Sequence, residues 1–118
     1  MEPEVFVERK KVSTDLFAEP TETEIEIIKE QAAALWRSGM KVEKCLLELQ
    51  DLDREIDRLA AEGRKDEANR LIERFNALCD QARLYLYYLV IHREAVGFRR
   101  HPDMAKIYPI PPKRAPIR

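Results

Sequence analysis

At 118 residues, with 36% charged and 45% hydrophobic side chains and a net charge of −1, the chain has the length of one domain and the balance of long solvent-exposed helices bearing one apolar seam. It is too apolar and too periodic for a disordered chain, and it contains no eighteen-residue apolar run of the kind that spans a bilayer. The acidic start Met1-Glu2-Pro3-Glu4 lacks the positive and apolar regions of a signal peptide, so the expected compartment is the cytoplasm.

Residues 1–20 read as an extended N-terminal arm. Val5 and Val7 alternate, Pro3 disfavours helix, and Phe6, Leu16 and Phe17 are apolar enough to lie along a helical body or to add a short strand. Thr21 and Glu24 then stand in capping-box spacing and announce a helix expected from about residue 23 to 62. Its apolar series is Ile25, Ile28, Ala32, Leu35, Gly39, Val42, Leu46 and Leu49, and then, after a partial step, Leu52, Ile56 and Leu59. Steps of three and four place these on one face, a seam that buries only against another helix. Gly39 falls on that seam, where it admits a large side chain from the facing helix, Leu89 or Tyr88; the alternative is a break at Ser38-Gly39 that makes three helices.

Glu62-Gly63-Arg64-Lys65-Asp66 supplies a turn at 63–65, with a glycine for the left-handed residue that ends one helix and an aspartate to cap the next. The string from Gly63 to Ala68 resembles the junctions of tetratricopeptide repeats, a likeness confined to the turn, because no second copy of the unit follows. The second helix is expected over about 66–98, stopped by Gly97 and Pro102, with the seam Ala68, Leu71, Phe75, Leu78, Ala82, Tyr85, Leu89, His92 and Val96. A hairpin folded about residue 64 sets Cys45 opposite Arg83, Cys79 opposite Leu49 and Trp36 opposite His92. The two cysteines are then offset by four residues, about 6 Å along the axis, which points to half-buried free thiols rather than a bridge.

Leu84 to Ile91 are eight consecutive apolar or aromatic residues covering every side of a helix, where a hairpin needs only one side covered. The excess marks an association surface, with Trp36, Leu84, Tyr85, Tyr87, Tyr88 and Ile91 as its anchors. The fold expected is therefore all-α, a long antiparallel coiled-coil-like helical hairpin that dimerises into a four-helix bundle. The alternative cover for the patch is the N-terminal arm of the same chain.

Residues 99–118 form a basic, proline-rich tail. Four prolines from Pro109 onward favour polyproline II, and Pro109, Pro112 and Arg114 stand in a P-x-x-P-x-R spacing that resembles SH3-domain ligands. Tyr108 and Ile110 have no reason to sit in a solvated tail, so ordered docking is expected, near Ile25 and Ile28 or on another protein. Charge is also segregated: residues 1–30 carry nine acidic and four basic side chains, residues 93–118 two and seven. In an antiparallel hairpin these blocks share a pole and attract each other, within a chain or across a dimer, or the tail meets an acidic partner such as nucleic acid through Arg99, Arg100, Lys113 and Arg114.

A catalytic constellation is not evident. His92, on the seam, is expected to bond a tyrosine or carboxylate, and His101 to belong to a solvated basic patch. The acids Glu48, Asp51, Glu55 and Asp57 are interleaved with arginines at pairing distance, the pattern of a salt-bridged exterior rather than a magnesium site. The sequence accordingly predicts a non-enzymatic interaction or assembly module that partners itself, with no cofactor, metal or membrane. A nucleic-acid-associated helical protein and a small all-helical enzyme are the alternatives.

Overall fold

The computed structural model describes residues 19–118. The expectations for the arm's course, its strand and the cover given by Phe6, Leu16 and Phe17 lie outside the described residues. The described residues divide into two units, 19–31 and 32–118. Three helices are described: α1 (Glu22–Ala61), α2 (Lys65–Ala95) and a single turn, α3 (Met104–Ile107). No strand occurs among the described residues.

In the first unit, the capping box forms as its spacing requires. The Thr21 N–H donates to Glu24 Oε1 at 2.7 Å and the Glu24 N–H donates to Thr21 Oγ1 at 3.1 Å, satisfying two backbone donors reciprocally. Ile25, Ile27 and Ile28 are exposed.

In the second unit, α1 continues through Gly39 without a break and packs antiparallel on α2. The turn follows from its glycine. Gly63 has φ +76°, the Arg64 N–H donates to the Leu59 carbonyl at 2.9 Å and the Gly63 N–H to that of Ala60 at 3.1 Å, which is the Schellman closure. Gly97, at φ +107°, closes α2 in the same way, with the Phe98 N–H on the Arg93 carbonyl at 2.9 Å and the Gly97 N–H on that of Glu94 at 3.1 Å. Asp66 does not cap α2. The helix begins one residue earlier, and Arg64, at the cap position, makes no side-chain capping bond. Arg64 instead pairs with Glu67 at 2.6 Å and Glu62 at 3.1 Å.

At His92 the facing residue differs from the one expected. His92 faces Ser38, its Nδ1 2.7 Å from the serine Oγ, rather than Trp36, a tyrosine or a carboxylate. The core contains the expected seam residues Val42, Leu49, Ile56, Leu59, Ala68, Phe75, Ala82 and Leu89. It also buries Cys45, Ile72 and Cys79, which the seam omits. Both thiols are free, and both are buried rather than half-buried.

The added burial has a cause in a third packing element. After α3, the segment 108–118 has neither helix nor strand and lies against the hairpin, its Ile110 and Ile117 packed on the cluster that holds Leu49, Ile72, Phe75 and Cys79. A two-helix hairpin has one apolar seam; a hairpin that also seats a tail needs a stripe wide enough for two neighbours. The helical turn before it is local: Asp103 accepts the Ala105 N–H at 3.1 Å and starts α3.

Candidate functional site

The outer side of α2 carries the first candidate. Leu84 (47% exposed), Tyr87 (62%), Tyr88 (51%) and Ile91 (42%) recur at steps of three, one and three, which leaves a second apolar stripe facing solvent on a helix whose inner stripe is already filled. The Tyr87 and Tyr88 rings touch in a tilted arrangement, centroids 6.0 Å apart. On α1, Trp36 (66%), Met40 and Leu47 are likewise exposed. Within the run from Leu84 to Ile91, Leu89 is buried and Leu86 and Val90 are half-buried, so the apolar residues in excess of one seam stand partly exposed on the hairpin. Tyr85 leaves the exposed set. It packs against the core cluster, with the Lys41 ammonium 5.6 Å from its ring centroid and its hydroxyl accepting from Gln81 Nε2 at 3.0 Å.

The second candidate is the seat of the tail. Two asparagines of α2 each bond both main-chain groups of one tail residue. Asn69 Nδ2 donates to the Ile117 carbonyl at 3.0 Å while the Ile117 N–H donates to Asn69 Oδ1 at 2.7 Å. Asn76 Nδ2 donates to the Arg114 carbonyl at 2.9 Å while the Arg114 N–H donates to Asn76 Oδ1 at 2.8 Å. Further along, Cys79 Sγ donates to the Pro111 carbonyl at 3.5 Å. From α1, Asp53 and Asp57 receive the two ends of the Arg114 guanidinium at 2.6 and 2.9 Å, and Asp80 of α2 meets Lys113 Nζ at 2.9 Å. Tyr108 fills the place beside Gly39, its hydroxyl 3.3 Å from where a Cβ would stand. The glycine thus admits a tail side chain, not Leu89 or Tyr88. Tyr108 and Ile110 are docked in order, but beside Gly39 and on the core cluster that holds Leu49, Phe75 and Cys79 rather than near Ile25 and Ile28 or on another protein.

Burial acts on the site's ionisable groups in two directions. It pushes both thiols up from 9.0, Cys45 with help from Glu48 and Cys79 against the Arg83 charge, so both stay protonated at neutral pH. For Arg114 burial disfavours the charge, but the hydrogen bonds to Asp57 and Asp53 outweigh it and hold the guanidinium above its ordinary value.

Of the four cations expected to contact a partner, Lys113 and Arg114 face these carboxylates of their own chain, while Arg99 and Arg100 are exposed. His101 is not simply solvated. Its Nδ1 accepts from Arg93 Nε at 3.1 Å and its Nε2 lies 3.3 Å from Glu94 Oε2. A recess of about 360 Å³ between α1 and α3 is lined by Trp36, Met40, Leu89, Arg93, Met104 and Tyr108. The side of α1 toward the turn is a salt-bridged exterior, as its spacing predicts, with Arg58 joined to Glu55 and Glu62. Among the described residues no group of three or more His, Cys, Asp or Glu side chains is placed to hold a metal ion, and no helix is long and apolar enough to cross a membrane.

The exposed stripe has a signal in the sequence, the apolar run beyond the seam. The tail seat was missed, because Asn69, Asn76, Asp53 and Asp57 are ordinary helix-exterior residue types whose pairing with residues 38 to 61 positions away leaves no local pattern. Comparison of the chain with known protein families, with curated proteins and with solved structures finds no match.

Proposed function

We propose that the protein is a non-enzymatic interaction and assembly module that associates with a second copy of itself through the outer stripe of α2. The observation that carries this reading is the spacing of Leu84, Tyr87, Tyr88 and Ile91, which repeats on the outside of α2 the pattern that packs its inside. A stripe of that spacing is satisfied by another helix, and two copies related by a two-fold axis bring the same stripe to both sides. Two hairpins joined this way make a four-helix assembly. The exposed part of the stripe covers about two helical turns, so the contact is short and the expected affinity micromolar rather than nanomolar.

Tyrosine suits such a contact, since the ring packs and the hydroxyl reaches water or a partner carbonyl. Recognition of nucleic acid draws less support, because two of the four cations, Lys113 and Arg114, are engaged by Asp80, Asp53 and Asp57 of their own chain. The test is the absolute mass of the full chain by light scattering across a hundredfold concentration range. The mass is expected to double with concentration, and Leu84→Glu with Tyr88→Glu is expected to hold the chain monomeric with its helical content unchanged. A monomer at every concentration, or a dimer indifferent to both substitutions, overturns the proposal.

A further inference from the structure

We propose that the groove seating residues 108–118 is a recognition site for an extended, proline-containing peptide of another chain, and that the tail is its occupant in cis. The segment it selects carries arginine at a central position, proline three residues before it, and apolar residues four before and three after. In this chain those positions are Arg114, Pro111, Ile110 and Ile117.

The groove reads main chain at every third residue. Ile117, Arg114 and Pro111 are the residues bonded to Asn69, Asn76 and Cys79. Polyproline II has three residues per turn, so residues three apart present the same edge. Between the two asparagines the spacing suits an extended tail: the seven helical residues from Asn69 to Asn76 rise about 10.5 Å, and three polyproline II residues span about 9.3 Å. An α-helix would need about six or seven residues to cover that distance, where the tail uses three.

Donors and acceptors match position by position. Arg114 and Ile117 each own an N–H and a carbonyl, and each meets a carboxamide, the side chain that offers one donor and one acceptor. Pro111 has a carbonyl and no N–H, and it meets a thiol, whose S–H donates. A residue other than proline at that place would bring an N–H that the thiol answers poorly. Main-chain readout of this kind tolerates variation between the contacts, while Asp53 and Asp57, one helical turn apart on α1, read the planar guanidinium through two nitrogens. Apolar sockets for Ile110 and Ile117 complete the selection. Main-chain bonds for affinity with side-chain pockets for specificity is how grooves take extended peptides.

Occupation in cis makes the site gated. A tethered ligand competes at an effective concentration in the millimolar range, so a peptide from another chain displaces the tail only at comparable concentration or when the tail's own hold is weakened. The experiment titrates the full ¹⁵N-labelled chain with an unlabelled twelve-residue peptide of the sequence Ile107–Arg118. The amide signals of Arg114 and Ile117 are expected to move to unbound positions, half-complete at about millimolar peptide, and a peptide with glutamate in place of the arginine is expected to leave them unmoved. Arg114→Ala in the full chain is expected to lower the peptide concentration needed by roughly tenfold or more, and adding Asn76→Ala is expected to abolish binding. Tail signals that stay fixed in the unsubstituted chain at several times that peptide concentration overturn the proposal, as does displacement by the glutamate peptide with equal efficiency. The titration of the unsubstituted chain decides the question even if a variant loses its fold.

Discussion

Asn76 holds Arg114 by its main chain in both directions at once, accepting its N–H at 2.8 Å and donating to its carbonyl at 2.9 Å, while the guanidinium of the same residue reaches Asp53 and Asp57 on the opposite helix. Arg114 thereby ties α1 to α2 through the tail, and its surroundings set the cost of several substitutions.

Replacing Asn76 by Ala removes both main-chain partners of a half-buried residue. The expected loss is about 1–2 kcal/mol of unfolding free energy, since two half-buried main-chain groups fall back on whatever water reaches them. Urea unfolding measures it, and a loss under about 0.5 kcal/mol would show that solvent replaces the clamp.

Arg114→Lys keeps the charge but exchanges a two-pronged donor for a single ammonium, which can meet Asp53 or Asp57 in good geometry but not both. The guanidinium is about a quarter exposed (28%) and Asp57 two-thirds exposed (66%), so the coupling of this pair in a double-mutant cycle with Asp57→Asn is expected at about 0.2–1 kcal/mol. It should shrink in 1 M salt, where the Debye length is about 3 Å.

Stability should fall on the alkaline side through the buried thiols. Cys45 and Cys79 have folded-state values above 9.0, so the unfolded chain releases these protons first as pH rises. Their contribution is fully present below the ordinary thiol value and is lost as pH climbs through and beyond it. Comparing urea midpoints at pH 7.5 and 10 for the parent chain and for Cys45→Ala with Cys79→Ala isolates the term, because other alkaline titrations are common to both. An equal alkaline loss in the two chains would show that the thiols are solvated.

Gly39→Ala sets a helix-interior gain against a close contact. Alanine is favoured over glycine within a helix by about 1 kcal/mol, while the new Cβ would lie 3.3 Å from the Tyr108 hydroxyl, the far end of a side chain able to yield a few tenths of an ångström. The expected net effect is a stabilisation of about 0.5 kcal/mol, raising the melting temperature by about 2–4 °C. Gly39→Leu has no such room and should expel Tyr108, read as faster hydrogen exchange along residues 108–118.

The helices were legible in the sequence because their causes are local. Thr21 and Glu24 cap α1, Gly63 and Gly97 end α1 and α2 in left-handed conformation, and a step of three or four residues marks the inner faces from Val42 to Leu89. Each of these is decided within a turn or two of chain, where residue type and spacing are sufficient. The outer stripe was visible for the same reason, as apolar residues beyond what one seam uses, although which of them turn inward was not: Tyr85 goes to the core and Tyr87 to solvent. Tertiary packing alone decided the rest. The pairing of Ser38 with His92, the burial of Ile72 and Cys79, and the seating of Ile117 on Asn69 depend on contacts 48 or more residues apart or on the tail that makes them. Asparagine and aspartate on a helix exterior look alike whether they face water or a docked segment, because the bond that distinguishes them belongs to a distant main chain rather than to the residue's own neighbours.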